Sequence, residues 1–246
     1  KMFNISKYTL RKILVKDFNI NTKLKNRYTV DSTYFEIIDT EDKAYLLGLL
    51  FADGYVCKEQ VDNIILELRD KDIIEYFKNA ISYTGEIKIS KPGGYKNSKN
   101  GFRISFSDKQ IAKSLRKYGM KTFRKQNDLK IPPIKNDLIR HFIRGYIDGD
   151  GSICKSTNHS VHNNKDYYYD NLNLLIIGPI DFLNEIINAM EIKKYSFQKS
   201  KTENLYYLRI SSKKEIKKIY SYLYNNIKIC LNRKRQIWDN YLGANS

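Results

Sequence analysis

An α+β fold, made of two copies of one αββαββα half-domain related by a pseudo-twofold and carrying antiparallel sheets, is predicted by three observations. Two apolar helical segments, residues 46–54 and 143–151, both end in Asp-Gly, and their aspartates Asp53 and Asp150 stand 97 positions apart. Each is followed by the same segments in the same order, namely two strands, a helix, two strands and a Lys-rich helix. The strands alternate apolar and polar residues, the pattern of a sheet with one covered face.

The elements follow in order. Residues 6–17 read as a short helix with Ser6 as N-cap, Leu10, Ile13 and Leu14 on one face, and Lys7, Arg11, Lys12 and Lys16 on the other. That basic face suits a DNA groove and a solvated surface equally well. The polar stretch 19–32 reads as a linker or extended arm. The first unit then opens with the apolar helix ending at Asp53, strands near 55–58 and 64–68, a helix over 72–81, and a last strand containing Arg103-Ile104-Ser105. The second repeats this with strands near 152–155 and 172–177, a helix over 181–190, and a strand containing Arg209-Ile210-Ser211. Between them, Arg124, Lys125, Lys130 and Pro132-Pro133 form a stretch that cannot continue a helix and reads as an ordered linker. Asn232-Arg233-Lys234-Arg235 opens a basic terminal helix, whose Trp238 is expected on the core. The organisation is therefore an N-terminal segment 1–38, a first half 39–118, a linker 119–135 and a second half 136–246.

Composition narrows the function. The 246 residues are 41% hydrophobic and 13% aromatic, enough for a packed core and too much for general disorder. No apolar run reaches the ~20 residues of a membrane span, so a membrane partner is not expected. Cys57, Cys154 and Cys230 are far apart and never form C-x-x-C, which argues against disulfides and structural zinc and for a reducing, intracellular setting. The net charge is +17. A compositional drift toward Lys, Asn, Ile and Tyr would not by itself make acids lag so far behind bases, so a polyanion, nucleic acid first, is the expected partner.

The alternating strands place the candidate contacts. Phe102, Ile104 and Phe106 would face one way and Arg103, Ser105 and Ser107 the other; Leu208 and Ile210 would oppose Tyr207, Arg209 and Ser211; Ile87 and Ile89 would oppose Glu86, Lys88 and Ser90. A face carrying Lys88, Arg103, Ser105, Tyr207 and Arg209 suits a duplex groove, although an ordinary solvated face alternates in the same way. Two loops would extend the reach: residues 91–100, with Lys96 and Lys99, and residues 156–170, with His159, His162 and the run Tyr167-Tyr168-Tyr169, of which Tyr168 is taken as a contact. The two histidines have no further ligand cluster and are read as surface or loop contacts rather than a metal site.

The paired helices carry the candidate chemistry. Gly48 and Ala52 in one, and Gly145 and Gly149 in the other, are small residues four apart. Glycine inside a helix costs ~1 kcal/mol relative to alanine, so its use in both copies implies close helix packing. Asp53 and Asp150 would then meet at the negative ends of two helix dipoles, where something positive must compensate. Two carboxylates with phosphate and water are a donor set for Mg²⁺, which can activate water and stabilise a leaving oxygen. A single Asp-Gly is simply a helix end; two at equivalent repeat positions favour a site. Asp148 is an extra acid suited to helix-interface hydrogen bonding.

These motifs resemble the paired motifs of the monomeric, two-motif LAGLIDADG homing endonucleases. The pattern L-x-G-x-x-x-x-D-G stands at residues 46–54 and, with Ile143 in place of Leu, at 143–151; the αββαββα surroundings extend the likeness from about Asp39 to Tyr241. The N-terminal segment resembles the remnant of a helix-turn-helix module. The resemblance implies a DNA-binding saddle, intron or mobile-element homing, and site-specific double-strand cleavage by a monomer. Asp53 and Asp150 would be ligands of Mg²⁺, with Mn²⁺ or Ca²⁺ able to occupy the same sites. It also implies basic side chains around the reacting water, for which Arg69, Lys58 and Lys155 are the candidates. The counterpart of Arg69 falls at Gly178-Pro179, where there is no base, so unequal cutting by the two halves is expected. A non-cleaving RNA maturase or DNA-binding regulator on the same fold is the alternative; retention of both aspartates favours the enzyme. The setting implied is a bacterial or phage-infected cytoplasm, or an organelle.

Overall fold

The computed structural model describes residues 5–18, 28–58, 61–90, 100–120, 128–202 and 204–243. The first helix, α1 (Lys7–Lys16), starts where the Ser6 hydroxyl accepts the Thr9 amide. The first repeat follows as α2 (Glu41–Asp53), β1 (Gly54–Val56), β2 (Asn63–Leu68), α3 (Lys71–Ala80), β3 (Lys88–Ser90), β4 (Gly101–Ser107) and α4 (Lys109–Lys117). The second follows as α5 (Asn136–Asp150), β5 (Ser152–His162), β6 (Lys165–Gly178), α6 (Ile180–Met190), β7 (Ser196–Lys199), β8 (Tyr206–Ile210), α7 (Lys213–Tyr224) and α8 (Asn232–Leu242). The two sheets are antiparallel and share one topology, β1-β2-β4-β3 and β5-β6-β8-β7. The duplication read from the sequence is thus present in the strand order itself.

Each sheet buries one face. Ile64, Leu66, Ile104 and Phe106 in the first, and Leu174, Ile176, Leu208 and Ile210 in the second, join one hydrophobic core with the buried faces of the helices. Trp238 is fully buried there, beside Tyr220 and Tyr224. Among the described residues no helix is long and apolar enough to cross a membrane.

Three expectations need correction. Residues 156–170 are not a loop but most of a β ribbon, paired without interruption from Ser152↔Leu175 to His162↔Lys165 and closed by Asn163 and Asn164 at φ 50° and 55°, as a tight primed turn requires. The segment from Lys165 to Asn173 pairs with β5 alone, so the ribbon reaches about 30 Å past its sheet. Ile89 has the parity of the covered face but lies on an edge strand and is 66% exposed, and no described element covers that edge. The end of the predicted arm is docked rather than extended: Thr29 bonds Thr84, Tyr28 lies against Tyr83, and Phe35 just beyond it is fully buried.

Candidate active site

The α2–α5 pair brings the two Asp-Gly ends together. A Cβ built on Gly48 would stand 2.0 Å from the Phe142 carbonyl oxygen, and one on Gly145 would stand 2.0 Å from that of Tyr45. Only glycine permits backbones this close, which accounts for both interior glycines. Lower in the pair, a Cβ on Gly149 would lie 2.3 Å from Cβ of Ala52 and 2.8 Å from Oδ2 of Asp53. The Asp53 carboxylate therefore sits over the backbone of Gly149, one residue before Asp150. Gly48, Ala52, Gly145 and Gly149 all lie in this contact.

The surroundings act on both acids. Burial pushes the Asp53 carboxyl up to about 6, against the pull of Lys234 and Arg233. Burial and the neighbouring Asp53 push Asp150 up to about 7. Asp53 nevertheless keeps an open side and Asp150 is half-buried, so the pair remains reachable from solvent.

The expected positive partner is present in the protein itself. Lys234, at the start of α8 and only 5% exposed, donates to the carbonyl oxygens of Ile147 at 2.8 Å, Asp148 at 2.6 Å and Gly149 at 3.1 Å, and to that of Gly151. The carbonyls of Asp148 and Gly149 are among those an α-helix leaves unsatisfied at its C-terminus, while that of Ile147 also accepts the Gly151 amide, so α8 caps α5 from outside. Burial lowers the Lys234 ammonium to about 8, with Asp148, Asp53 and Asp150 opposing that loss. Next to it, Arg233 binds both oxygens of Asp70, at 2.9 and 3.1 Å, and so ties α8 to the first repeat. Neither residue stands out beyond the basic run 232–235: nothing in its spacing says which basic side chain turns inward.

The remaining predicted residues divide. Arg69 is exposed at the bend after β2, directly before Asp70, while its counterpart position is Pro179, the N-cap of α6. Lys58 is exposed just past β1 and its carbonyl accepts the Val61 and Asp62 amides. Lys155 pairs across from buried Leu172 and its ammonium binds Asp170 at 2.7 Å. Register places Lys88, Arg103 and Ser105 on the uncovered face of the first sheet, with Arg103 4.0 Å from Glu67 and Ser105 bonded to Asn63. Tyr207 and Arg209 lie on the uncovered face of the second. Tyr168 does not join them. It shares parity with Leu172, Asp170 and Asp166 and stacks on His159 with ring centroids 4.8 Å apart, whereas Tyr167 and Tyr169 share parity with Arg209. Lys96 and Lys99 lie outside the described residues.

Two carboxylates at adjoining helix ends, oxygen donors open to solvent on one side, fit a hard divalent cation that completes its shell with water or phosphate. No cluster of three or more His, Cys, Asp or Glu side chains suited to a metal occurs among the described residues. Any such ion would rest on the aspartate pair and on groups brought by a ligand.

Comparison with known proteins matches residues 137–224 to the family model of the LAGLIDADG-like domain. Among solved structures, the I-LtrWI LAGLIDADG homing endonuclease bound to its target DNA superposes with a TM-score of 0.55 at 14% identity, covering 86% of this chain and 92% of that one. Meganuclease I-SmaMI bound to uncleaveable DNA gives 0.54 at 14% identity, over 83% and 89%. LAGLIDADG meganuclease I-AabMI bound to uncleaved DNA gives 0.53 at 14%, over 81% and 89%. No curated protein sequence matches the chain.

Proposed function

We propose that this chain, whose second repeat matches the LAGLIDADG-like domain and whose fold is that of the LAGLIDADG homing endonucleases, is a site-specific DNA endonuclease that hydrolyses both strands of a duplex and depends on a divalent cation, Mg²⁺ first. The observation that carries this reading is the meeting of the repeat-equivalent Asp53 and Asp150 at the ends of α2 and α5. A nuclease needs two hydrolytic centres for two strands, and a duplication that brings two acids to its own axis supplies them.

Each part has a physical role in this reading. Asp53 and Asp150 would hold the cation, which would supply positive charge for activating water and for stabilising the leaving oxygen. Lys234, held against four carbonyl oxygens, places a positive charge beside both acids and favours their ionised form. Arg69 and Lys58 are exposed in the first repeat where a phosphate can reach them. Lys155 is held by Asp170 and has to leave it to serve the second repeat in the same way. The uncovered sheet faces, with Lys88, Arg103, Ser105, Tyr207 and Arg209, hold the duplex, and the charge of +17 strengthens that hold by releasing counterions. The protein acts as a monomer because one chain already contains both repeats.

The test is Mg²⁺-dependent cleavage of a pool of randomised duplexes and candidate host loci, run beside Asp53→Asn/Asp150→Asn and an EDTA control. Sequence-specific double-strand breaks from the unaltered protein alone are expected. Specific binding without cleavage of any enriched sequence would transfer the reading to a maturase or regulator.

A further inference from the structure

The α2–α5 interface contains two kinds of contact. The close packing at Gly48, Ala52, Gly145 and Gly149 is the same from either repeat. The polar contacts are not. Tyr45 Oη donates to Asp148 Oδ2 at 2.9 Å, Arg144 Nη2 donates to Glu41 Oε1 at 2.8 Å, and the Arg144 guanidinium lies 5.1 Å from the Tyr45 ring centre. Tyr45 and Arg144 are fully buried and Asp148 is 1% exposed. The 97-residue offset that relates Asp53 to Asp150 pairs Glu41 with Leu138, Tyr45 with Phe142, Leu47 with Arg144, and Phe51 with Asp148. Every polar member has an apolar counterpart in the other repeat.

We infer that these contacts restrict pairing of the motif helices to unlike repeats, so that the only partner for a first-repeat helix is a second-repeat helix, from the same chain or from another copy. In a pair of first repeats, Glu41 would face Leu47 and the Tyr45 hydroxyl would face Phe51. In a pair of second repeats, Arg144 would face Leu138 and Asp148 would face Phe142. Removing one partner of a buried ion pair or hydrogen bond leaves the other desolvated and uncompensated, which is strongly unfavourable. Asymmetric polar contacts of this kind reject the wrong pairing even where the apolar packing would accept it.

The remaining partners of these groups do not alter the result. Arg144 also binds His141 Nδ1 at 2.8 Å and the carbonyls of Leu223 and Ile229 at 3.0 Å, and Asp148 also accepts from Tyr224 Oη and the Leu231 amide. These belong to the second repeat and persist in a pair of second repeats, so Arg144 and Asp148 keep part of their polar shell there; Glu41 also accepts the Lys228 amide at 2.8 Å, a bond lost together with Arg144 in a pair of first repeats, so the discrimination rests on Glu41 and Tyr45. Burial and Arg144 push His141 down to about 4, which keeps it neutral at neutral pH. In consequence every assembled pair unites one Asp53 with one Asp150, and the cap from Lys234 always comes from one side. The two sides cannot become equivalent.

The intact chain is built with a protease site in residues 121–127, folded, and then cut. The resulting complex is mixed with its isotopically heavy twin and followed by native mass spectrometry. Light and heavy fragments are expected to scramble only within unlike pairs, in about tenfold or greater excess over like pairs. A statistical mixture of pairings overturns the inference. Where the cut fragments do not exchange, two uncut variants decide. Leu138→Glu with Arg144→Leu gives α5 the residues of α2 at one contact, whereas Glu41→Leu with Arg144→Leu makes that contact apolar. The first is expected to melt about 5 °C or more below the second; equal melting overturns the inference.

Discussion

The ammonium of Lys234 lies 2.8 Å from the carbonyl oxygen of Ile147, so a residue of the last helix completes the end of the helix that carries Asp150. A charge seated on helix-terminal carbonyls and enclosed by protein couples stability to chemistry. Replacing it with methionine keeps the volume but removes a donor from the end of α5 and a cation beside two acids. Lys234→Met is expected to lower unfolding free energy by about 2–4 kcal/mol in urea titrations, and to reduce single-turnover cleavage by about 100-fold or more with duplex affinity within a few-fold. Unchanged cleavage would remove Lys234 from the reaction and leave it as a cap.

Asp53→Asn/Asp150→Asn is expected to abolish cutting while keeping specific binding within about tenfold, because the proposed role is to hold a cation rather than the duplex. At pH 8 without metal the same variant should be more stable than the unaltered chain, since both carboxyls are raised and therefore ionise at a cost. Chemical denaturation reads this directly. A large loss of stability would make the aspartates structural.

The pH dependence follows from those two groups. Both have folded values, about 6 and about 7, above the ordinary 3.8, so the folded chain holds more protons than the unfolded chain between those limits. Their contribution to stability is therefore greatest at low pH, falls as pH rises from about 4 to about 7, and is flat above. The melting temperature of the unaltered chain minus that of the double asparagine variant should decline across this window in EDTA. Saturating Mg²⁺ should flatten the decline, because the cation competes with the proton. A difference that rises with pH would mean that the carboxyls are stabilised in the charged form.

Gly145→Ala is expected to separate the motif helices or unfold the protein, since the new Cβ would meet the Tyr45 carbonyl oxygen at 2.0 Å and backbone cannot step aside. A loss of more than about 3 kcal/mol is anticipated from overpacking at a backbone contact, read by thermal unfolding. A near-neutral result would show that the helices can part without cost.

Tyr168→Ala and Tyr169→Ala should differ. Tyr169 shares the ribbon face of Arg209, while Tyr168 shares that of Leu172, which is buried on the covered side of the sheet. Duplex affinity measured by fluorescence anisotropy should weaken for Tyr169→Ala and stay within about twofold for Tyr168→Ala. The reverse order would place the duplex on the other face.

Much was legible in the chain. The duplication, the order of strands and helices and the acids at equivalent helix ends are local patterns, repeated at one offset, and each survives whatever the rest of the chain does. Gly48 and Gly145 announce a close contact because an interior glycine is costly without one. Parity in the β5–β6 ribbon was not legible: both its faces are polar, so no hydrophobic alternation marks which tyrosine turns which way, and only its pairing to the sheet decides. The inward seat of Lys234, the Arg144–Glu41 pair and the Tyr45–Asp148 bond likewise join residues 83 or more positions apart. Periodicity decides which residues are buried. Which buried charge meets which partner is decided by the packing of helices from both repeats, because a buried ion is stable only where distant groups converge to satisfy it.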